Sequence, residues 1–316
     1  MLVIFSKRVY DIGKTLQKGE LLKMKKVLIA VMAVVLVVGC VFAFTACGKN
    51  VYTLNGVEVK TGTLKDSLTD VTTTGIKAYG TLVIATNPEF PPFESMEGKN
   101  AVGWDIDVAA AFAKELGVNV LVNTMDFDSV LGAPNANKCH ISMAGITANA
   151  ERAKTLDFTQ TIFNSSHVII VKESNTNITG PFDLAGKKVG AQRGTVGHLL
   201  ANLDEDWAYD GEDPILGQPA SVHPYDSGAM AVSALVNGDI DAVIIDQYPA
   251  EQFVNANAGN VKIVKDAEGN YNSVFDDEYA FAVKKGNTEL LNYLNNLIDT
   301  FKTNGTMAAI NNKYFG

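Results

Sequence analysis

Short apolar runs alternate with amphipathic stretches along the chain from Gly80 to its C-terminus. Runs rich in Val, Ile, Leu and Ala predict strands, and stretches with a helical apolar period predict helices. The predicted strands are 81–86, 118–123, 140–144, 167–172, 187–191, 241–245, 261–264 and 279–284. The predicted helices are 106–116, 128–136, 149–153, 196–203, 228–237, 247–256, 287–303 and 305–313. This alternation indicates an α/β fold with mostly parallel sheets.

Two parts of this pattern have the same arrangement, in which a strand ends in a loop that leads into a helix. Strand 81–86 runs into a loop rich in Pro and Phe before helix 106–116, and strand 187–191 runs into the loop before helix 196–203. Ligands of open α/β sheets bind at the carboxyl ends of the strands. Because two such edges facing each other would form a cleft, we predict two lobes with a ligand between them.

The N-terminal residues have a different pattern, in which basic, then apolar, then small residues follow one another. The basic segment 23–26 precedes the apolar run 27–44, and small residues follow at 45–47. This is the order of a secretory signal peptide, which we assign to 24–46. An uncleaved transmembrane anchor is the alternative, because the run approaches the roughly 20 residues of a spanning helix. Either interpretation places the bulk of the protein outside the cytoplasm.

The end of this segment resembles a bacterial lipobox, in which a cysteine is diacylated and becomes the first mature residue. Cys47 is the expected lipidation site, with Cys40 as the alternative. We interpret residues 1–23 as a non-native extension upstream of a true start at Met24. Residues 47–79 are rich in Thr, Gly, Asp and Lys and are predicted to be a tether, with a short hairpin over 50–60.

Charge and cysteine usage narrow the function classes. The formal net charge is −9, and because residues 1–46 contain seven Lys and Arg against two Asp and Glu, the remainder carries −14. Such an acidic chain is unsuited to nucleic acid. With Cys47 lipidated and Cys40 removed, Cys139 stands alone, so no disulfide is expected. The four His residues lack metal-ligand spacing, so we predict neither a metal nor a cofactor.

An ordered set of motifs resembles the extracellular solute-binding proteins of ABC transporters, in their polar amino-acid branch, family 3. The match covers about 80–316. Its motifs are Phe90-Pro91-Pro92-Phe93-Glu94, Gly103-Trp104-Asp105-Ile106-Asp107, Ala144-Gly145-Ile146-Thr147 with Glu151-Arg152, Asp157-Phe158-Thr159, Arg193-Gly194-Thr195, Gly238 to Asp246, Asn304-Gly305-Thr306 and Lys313 to Gly316.

This resemblance implies two Rossmann-like lobes of the type II periplasmic-binding-protein kind, with ligand bound between them by hinge closure. Lobe 1 is expected over 80–162 plus 280–316. Lobe 2 is expected over 167–275. The expected hinge segments are 163–166 and 276–279.

The resemblance also assigns the α-carboxylate of a free amino acid to Arg152. A guanidinium is a planar donor fork that gives a carboxylate two parallel hydrogen bonds. Gly145 and Thr147, which follow Ala144 in the same motif, are expected to contact the carboxylate and the ammonium. An ordinary turn with a Thr cap is the alternative for this segment.

Three residues of the second lobe complete the expected contacts. The N–H groups of Thr195 and Val196, at a helix start, are expected to face the same carboxylate. Asp246 ends an apolar strand, where a charge is costly unless it is paired, and the resemblance assigns it to the ligand ammonium. Capping of the following helix is the competing role for Asp246.

The remaining expected contacts concern the ligand side chain. Phe90 and Phe127 match aromatic positions that sandwich it, with core packing as the alternative. Asn87 and Gln192 match positions that tune the pocket. Relatives that bind basic amino acids commonly have Asp at the position of Asn87. Glu89 could substitute for it, and a solvent-facing position in the extended loop is the alternative for Glu89. We therefore expect a neutral polar ligand similar to glutamine.

The sequence thus predicts a monomeric, lipid-anchored, extracytoplasmic protein that binds an amino acid and delivers it to an ABC permease, without catalysis. Two other classes remain open. One is a cyclohexadienyl or arogenate dehydratase on the same fold, for which Glu89 or Asp246 would be the catalytic acid. The other is a sensory subunit that presents its ligand to a separate receptor.

Overall fold

The computed structural model of the protein describes residues 50–210 and 213–316. The predicted extension 1–23, the signal peptide 24–46 and both candidate lipidation sites, Cys40 and Cys47, lie outside the described residues. Within the described ranges, no helix combines the length and the apolar character that a membrane crossing requires.

The described elements follow one another as the alternation of the sequence predicts. The strands are β1 (Val51–Leu54), β2 (Val57–Gly62), β3 (Thr81–Thr86), β4 (Glu89–Phe90), β5 (Glu94–Glu97), β6 (Asn100–Val102), β7 (Asn119–Thr124), β8 (Ile141–Ser142), β9 (Leu156–Phe158), β10 (Phe163–Lys172), β11 (Lys188–Gln192), β12 (Tyr209–Asp210), β13 (Asp213–Pro214), β14 (Ser221–Tyr225), β15 (Ala242–Asp246), β16 (Val261–Ile263), β17 (Phe275–Tyr279) and β18 (Ala282–Lys284). The helices are α1 (Thr73–Tyr79), α2 (Trp104–Leu116), α3 (Phe127–Gly132), α4 (Ala150–Ala153), α5 (Val196–Ala201), α6 (Gly228–Asn237), α7 (Gln247–Ala256), α8 (Thr288–Thr303) and α9 (Thr306–Phe315). A short 3-10 helix spans Pro181–Leu184.

Lobe 1 is built on a seven-stranded sheet with the order β1-β2-β7-β3-β8-β18-β9. The neighbours β2, β7, β3 and β8 run parallel, whereas β18 is antiparallel to β8 and β9. Alternate residues of β3 face opposite sides, as the two-residue period of a strand requires. Ile84 packs in one apolar cluster with Phe112 of α2 and Leu294 of α8, and Val83 packs in another with Val130 of α3. Both faces of the sheet are therefore covered.

Lobe 2 is built on a second sheet with the order β14-β11-β15-β10-β16. Strand β11 runs parallel to β14 and β15, and β10 runs antiparallel to β15. All five residues of β15 are buried, because Ile244 packs into the core on one face and Val243 into the core on the other. A continuous apolar run of this kind is typical of a central strand covered on both faces.

Two antiparallel strands connect the lobes. The first half of β10 pairs with β17, from Phe163 opposite Tyr279 to His167 opposite Phe275, while its second half pairs within the lobe 2 sheet. The predicted hinge segments 163–166 and 276–279 lie in this pair. The sequence predicts one strand over 279–284. The structure has instead two, since β17 ends and β18 begins within this range.

The segment predicted to be a tether over 47–79 is folded in its described part. The expected hairpin is confirmed, since β1 and β2 pair across Asn55 and Gly56, which both have positive φ as a two-residue turn requires. Strand β2 runs parallel to β7 and buries Val57 and Val59. The tether prediction is therefore wrong from Asn50 onward, because the alternating Val residues extend the lobe 1 sheet instead of staying in solvent.

Candidate functional site

A small cavity lies between the two lobes, at the carboxyl ends of the central strands. Its volume is about 10 Å³, roughly the space of one water molecule. Its lining residues are Asn87, Phe90, Glu94, Phe127, Ala144, Gly145, Thr147, Arg152, His167, Gln192, Thr195, Val196 and Asp246. The structure thus brings together every residue that the sequence predicts to bind ligand, and it adds Glu94 and His167.

Larger grooves lie elsewhere, and three of them bring together residues of one lobe only. Two lie in lobe 2, one of about 550 Å³ lined by residues from Glu173 to Tyr271 and one of about 270 Å³ beside Lys172 and Asp241. The third, of about 830 Å³, lies between the N-terminal hairpin and α1. None of the three is lined by the charged groups described below, so the interlobe cavity is the better candidate for a ligand site.

Arg152, on α4, places a cation at this cavity. Its guanidinium donates to the backbone oxygen of Thr147 at 2.9 Å and to that of Gly194, in lobe 2, at 3.3 Å. Its terminal carbon lies 5.4 Å from the ring centre of Trp207. Burial lowers the pKa of Arg152 to about 10, which leaves it charged at neutral pH. Within the described ranges no carboxylate forms an ion pair with it, so its charge is available to an anion.

Phe90 and Phe127 supply the aromatic part of the lining. Both are largely buried, at 7% and 8% exposure. Gly145 adopts a φ of +52°, and a Cβ at this position would lie 2.6 Å from Cε1 of Phe90. A glycine is therefore required for the ring to lie against this backbone. Both rings line the cavity, and both also pack in the apolar clusters of lobe 1.

Glu94 places a carboxylate at the same cavity, at the start of β5. It is fully buried, and neither of its oxygens has a hydrogen-bond partner among the described residues. Burial, reinforced by the neighbouring Asp105, raises the pKa of Glu94 well above its usual range. Burial also raises the pKa of Asp105 to about 7. Glu94 and Asp105 therefore form a buried acid pair beside the cavity, and no cation of the described residues forms an ion pair with either of them.

The sequence reasoning missed Glu94 and considered Glu89 instead. Glu89 is exposed in the structure, so it is not the acid of this site. The signal that could have identified Glu94 is its position directly after Phe93, which is 1% exposed. An acid that continues a buried aromatic motif is more informative than one in a polar loop, because burial of an unpaired charge is costly.

Asp246 faces the cavity from the lobe 2 side, at the end of β15. It occupies the position before the first residue of α7, yet its side chain accepts no hydrogen bond from the first turn of that helix. It accepts a hydrogen bond from the hydroxyl of Tyr279 instead. Burial raises the pKa of Asp246 to about 6. The competing role of Asp246 as a helix cap is therefore not seen.

His167 and Asp277, on the two crossing strands, extend this acidic region. Nε2 of His167 lies 3.4 Å from Asp246 Oδ2, and its Nδ1 lies 3.8 Å from Asp277 Oδ2. Thr147 donates its hydroxyl to Asp277 Oδ2 at 2.7 Å. The three acidic and imidazole side chains have the spacing of a metal site. Both carboxylates already accept a hydroxyl hydrogen bond, however, so we interpret the group as a hydrogen-bonded cluster.

The lobe 2 residues close the cavity through neutral contacts. Gln192 donates from Nε2 to Oδ1 of Asn87 in lobe 1 at 2.9 Å. Thr195 caps α5 and donates its hydroxyl to the Gln192 backbone oxygen at 2.7 Å, and Val196 begins the helix. The Gln192 to Asn87 and Arg152 to Gly194 hydrogen bonds cross between the lobes, so the structure represents a closed arrangement.

Two α/β lobes, two crossing strands and a charged cavity at the interface define a two-lobed ligand-binding protein of the type II periplasmic-binding fold, as the sequence predicts. The family model of the bacterial extracellular solute-binding proteins, family 3, matches residues 82–316. The chain belongs to this family.

Similar proteins agree with this assignment. The chain is 31% identical over 244 residues to the putative ABC transporter arginine-binding protein 2 of Escherichia coli (strain K12), covering 75% of this chain and 92% of that protein. A solved structure of an ancestral arginine-binding protein bound to glutamine is 36% identical, has a TM-score of 0.65, and covers 75% of this chain and 98% of its own. The ancestral amino acid-binding protein AncCDT-1, a precursor of cyclohexadienyl dehydratase, is 29% identical with a TM-score of 0.66, covering 77% and 99%.

Proposed function

We propose that this solute-binding protein captures a free amino acid between its lobes and delivers it to the permease of an ABC importer. The observation that carries the proposal is that the guanidinium of Arg152, which forms no ion pair with a carboxylate of the described residues, lies in the same cavity as Asp246. A zwitterion needs one fixed cation for its carboxylate and one fixed anion for its ammonium. The family and the relatives, which are amino-acid-binding proteins of ABC transporters, support the same reading.

In this proposal the carboxylate binds Arg152 and the N–H groups of Thr195 and Val196. The ammonium binds Asp246 and the Thr147 hydroxyl. Because the closed cavity has room for about one water, a ligand enters only when the lobes separate. The crossing segments 163–166 and 276–279 are the proposed hinge between lobe 1, at 80–162 plus 280–316, and lobe 2, at 167–275.

The ligand side chain is the second part of the proposal. The sequence favours a neutral, glutamine-like ligand because Asn87 lacks a charge. Glu94 favours a cationic side chain instead, because a ligand cation would stabilise the ionised form of a buried acid that has no cation beside it among the described residues. The arginine-binding relative from Escherichia coli agrees with the cationic choice, whereas the ancestral arginine-binding protein is solved with glutamine bound. We therefore place a cationic, arginine-like amino acid first and a glutamine-like one second.

A thermal-shift screen against the twenty amino acids tests both parts. A ligand at 100 times its dissociation constant adds about 2.7 kcal/mol of stability. A shift with L-arginine or L-lysine is expected, with a smaller one for L-glutamine. Stabilisation by glutamine alone would contradict the cationic choice, and the absence of any shift would contradict amino-acid binding. Turnover of prephenate or arogenate by the purified protein would favour the dehydratase class.

Lipid anchoring outside the cytoplasm is a separate proposal, carried by the sequence around Cys47. Replacing Cys47 with Ala is expected to move the protein from the membrane fraction to the soluble extracellular fraction and to abolish incorporation of labelled palmitate. Cys40→Ala is the matched control and should leave both unchanged. The reverse result would assign the lipid to Cys40.

A further inference from the structure

Asp277 is a buried carboxylate that the proposed ligand contacts do not use. It lies on β17, one of the two crossing strands, and is 3% exposed. The Thr147 hydroxyl donates to its Oδ2 at 2.7 Å, whereas its Oδ1 has no hydrogen-bond partner among the described residues. An ionised carboxylate only accepts hydrogen bonds. The Thr147 proton is therefore committed to Asp277, and the lone pairs of the Thr147 oxygen are left for another donor.

The groups around Asp277 leave room for one more positive charge. His167 lies between Asp246 and Asp277, and a neutral imidazole donates through one nitrogen only, so it serves one of these two carboxylates. Its Nδ1, on the Asp277 side, has no hydrogen-bond partner in the described part of the chain. The charged and titratable groups that face this cluster from neighbouring elements are Asp246, Arg152, Tyr279 and Glu94.

We propose that Asp277 is a positioning residue of the amino-acid site, which turns the Thr147 oxygen into an acceptor for the α-ammonium of the ligand. This inference rests on the proposed amino-acid-binding function. A protonated Asp277 would have the opposite effect. It would donate to the Thr147 oxygen, and the hydroxyl proton would then point away from Asp277, where it competes with the N–H groups of an ammonium.

The positioning role predicts that ligand affinity falls as the pH is lowered. Burial raises the pKa of both Asp277 and Asp246 to about 6. The ionised forms accept an ammonium, so affinity is full above the folded pKa and falls as the pH drops through about 6. Because each group is partly protonated near that pH in the free protein, ligand binding there releases protons.

The test compares Asp277→Asn with Asp276→Asn, which is the same substitution at the exposed neighbouring position of β17. Titration calorimetry with L-arginine and L-glutamine at pH 6, in two buffers of different ionisation enthalpy, counts the protons released. Asp277→Asn is expected to weaken binding about tenfold at pH 7.5, which corresponds to roughly one hydrogen bond to a charged group, and to release fewer protons at pH 6. Asp276→Asn should change neither quantity.

A double-mutant cycle tests whether Asp277 acts through Thr147. Thr147→Val removes the hydroxyl at constant shape and should weaken binding as much as Asp277→Asn. The double variant is expected to be no weaker than the worse single variant, since the two changes remove the same contact. Fully additive losses would overturn the positioning role.

Other outcomes also overturn the proposal. One is wild-type affinity and proton release in a folded Asp277→Asn variant. A second is stabilisation of the ligand-free protein by Zn²⁺, which would make the cluster a metal site. If Asp277→Asn fails to fold, the pH dependence of ligand affinity in the wild-type protein is the test. An affinity that is constant from pH 5 to pH 8 contradicts the mechanism. Failure of the wild-type protein to bind any amino acid contradicts instead the proposed function.

Discussion

The two lobes contribute unequally to the cavity between them. Lobe 1 supplies the cation of Arg152, the buried acid Glu94 and the rings of Phe90 and Phe127. Lobe 2 supplies Asp246 and otherwise neutral groups that are held by hydrogen bonds of their own. We infer that lobe 1 recognises the chemical identity of a ligand, and that lobe 2 mainly contributes the contacts made on closure. The effects of substitutions on ligand affinity should therefore differ between the lobes, both in size and in whether the order of ligand affinities changes.

The largest effect is expected on the lobe 1 side, for Arg152→Lys. Lysine keeps the charge but loses the planar donor fork, so affinity for every amino acid ligand should fall about 100-fold, as expected for a lost charge-assisted hydrogen bond. Titration calorimetry measures the change. Arg193→Lys is the control, because the Arg193 side chain is 52% exposed. A loss of affinity below threefold for Arg152→Lys would show that the lobe 1 guanidinium does not bind the ligand.

The next largest effect is expected for Glu94→Gln, which tests whether lobe 1 selects the ligand by its side chain. The substitution removes the carboxyl that a ligand cation would ionise and keeps the shape, so the affinity for L-arginine should fall about 30-fold while that for L-glutamine changes little. Glu97→Gln, at the exposed end of the same strand, is the matched control. Equal losses for both ligands would show that Glu94 does not select the side chain, and the glutamine-like choice would then lead.

A smaller effect is expected on the lobe 2 side, for Gly194→Ala. Gly194 has a φ of +75°, and a Cβ there would lie 1.7 Å from Asp128 Oδ1 in lobe 1. The clash should hinder closure and weaken all ligands about tenfold without changing their order, because closure completes the contacts.

Gly186→Ala is the control for this backbone strain. Gly186 has a φ of +71° in the same lobe, with nothing within 4 Å of a Cβ. Small-angle scattering with saturating ligand should show a more open Gly194→Ala variant. A changed order of ligand affinities in Gly194→Ala, with closure unaffected, would contradict the different roles inferred for the two lobes.

The smallest effect is expected for Gln192→Ala, which removes the 2.9 Å hydrogen bond to Asn87 across the lobes. A neutral hydrogen bond contributes about 1 kcal/mol, so affinity should fall about fivefold. The exposed Gln218→Ala is the control. A cycle with Asn87→Ala measures the coupling, and a coupling of zero would mean that the two amides act independently on the ligand.

Much of the fold is predictable from the sequence, since its signals are local. The predicted strand 81–86 and the predicted helices 228–237 and 247–256 match the observed bounds, because a buried apolar run or a clear helical period marks each of them. Strand β17 has no such signal. Its three consecutive acids, Asp276, Asp277 and Glu278, give it a polar character, and it forms a strand only because β10 pairs with it.

The residues of the candidate site also divide into those with a local sequence signal and those without one. Arg152, Thr147 and Asp246 belong to motifs at the ends of strands and can be located in the sequence. For Glu94 the one local signal is its position directly after the aromatic motif that ends at Phe93. His167 has no such signal, because nothing local indicates that its side chain is buried beside a cavity.

The sequence by itself determined the two α/β lobes, their order and the residue types at the strand ends, because apolar period and turn residues act over a few positions. Only the tertiary structure decided which polar groups are buried, paired and protonated. Thr147 and Asp277 are 130 positions apart, and the pKa of a carboxyl depends on its desolvation and on the charges around it. Both are set by distant segments that folding brings together.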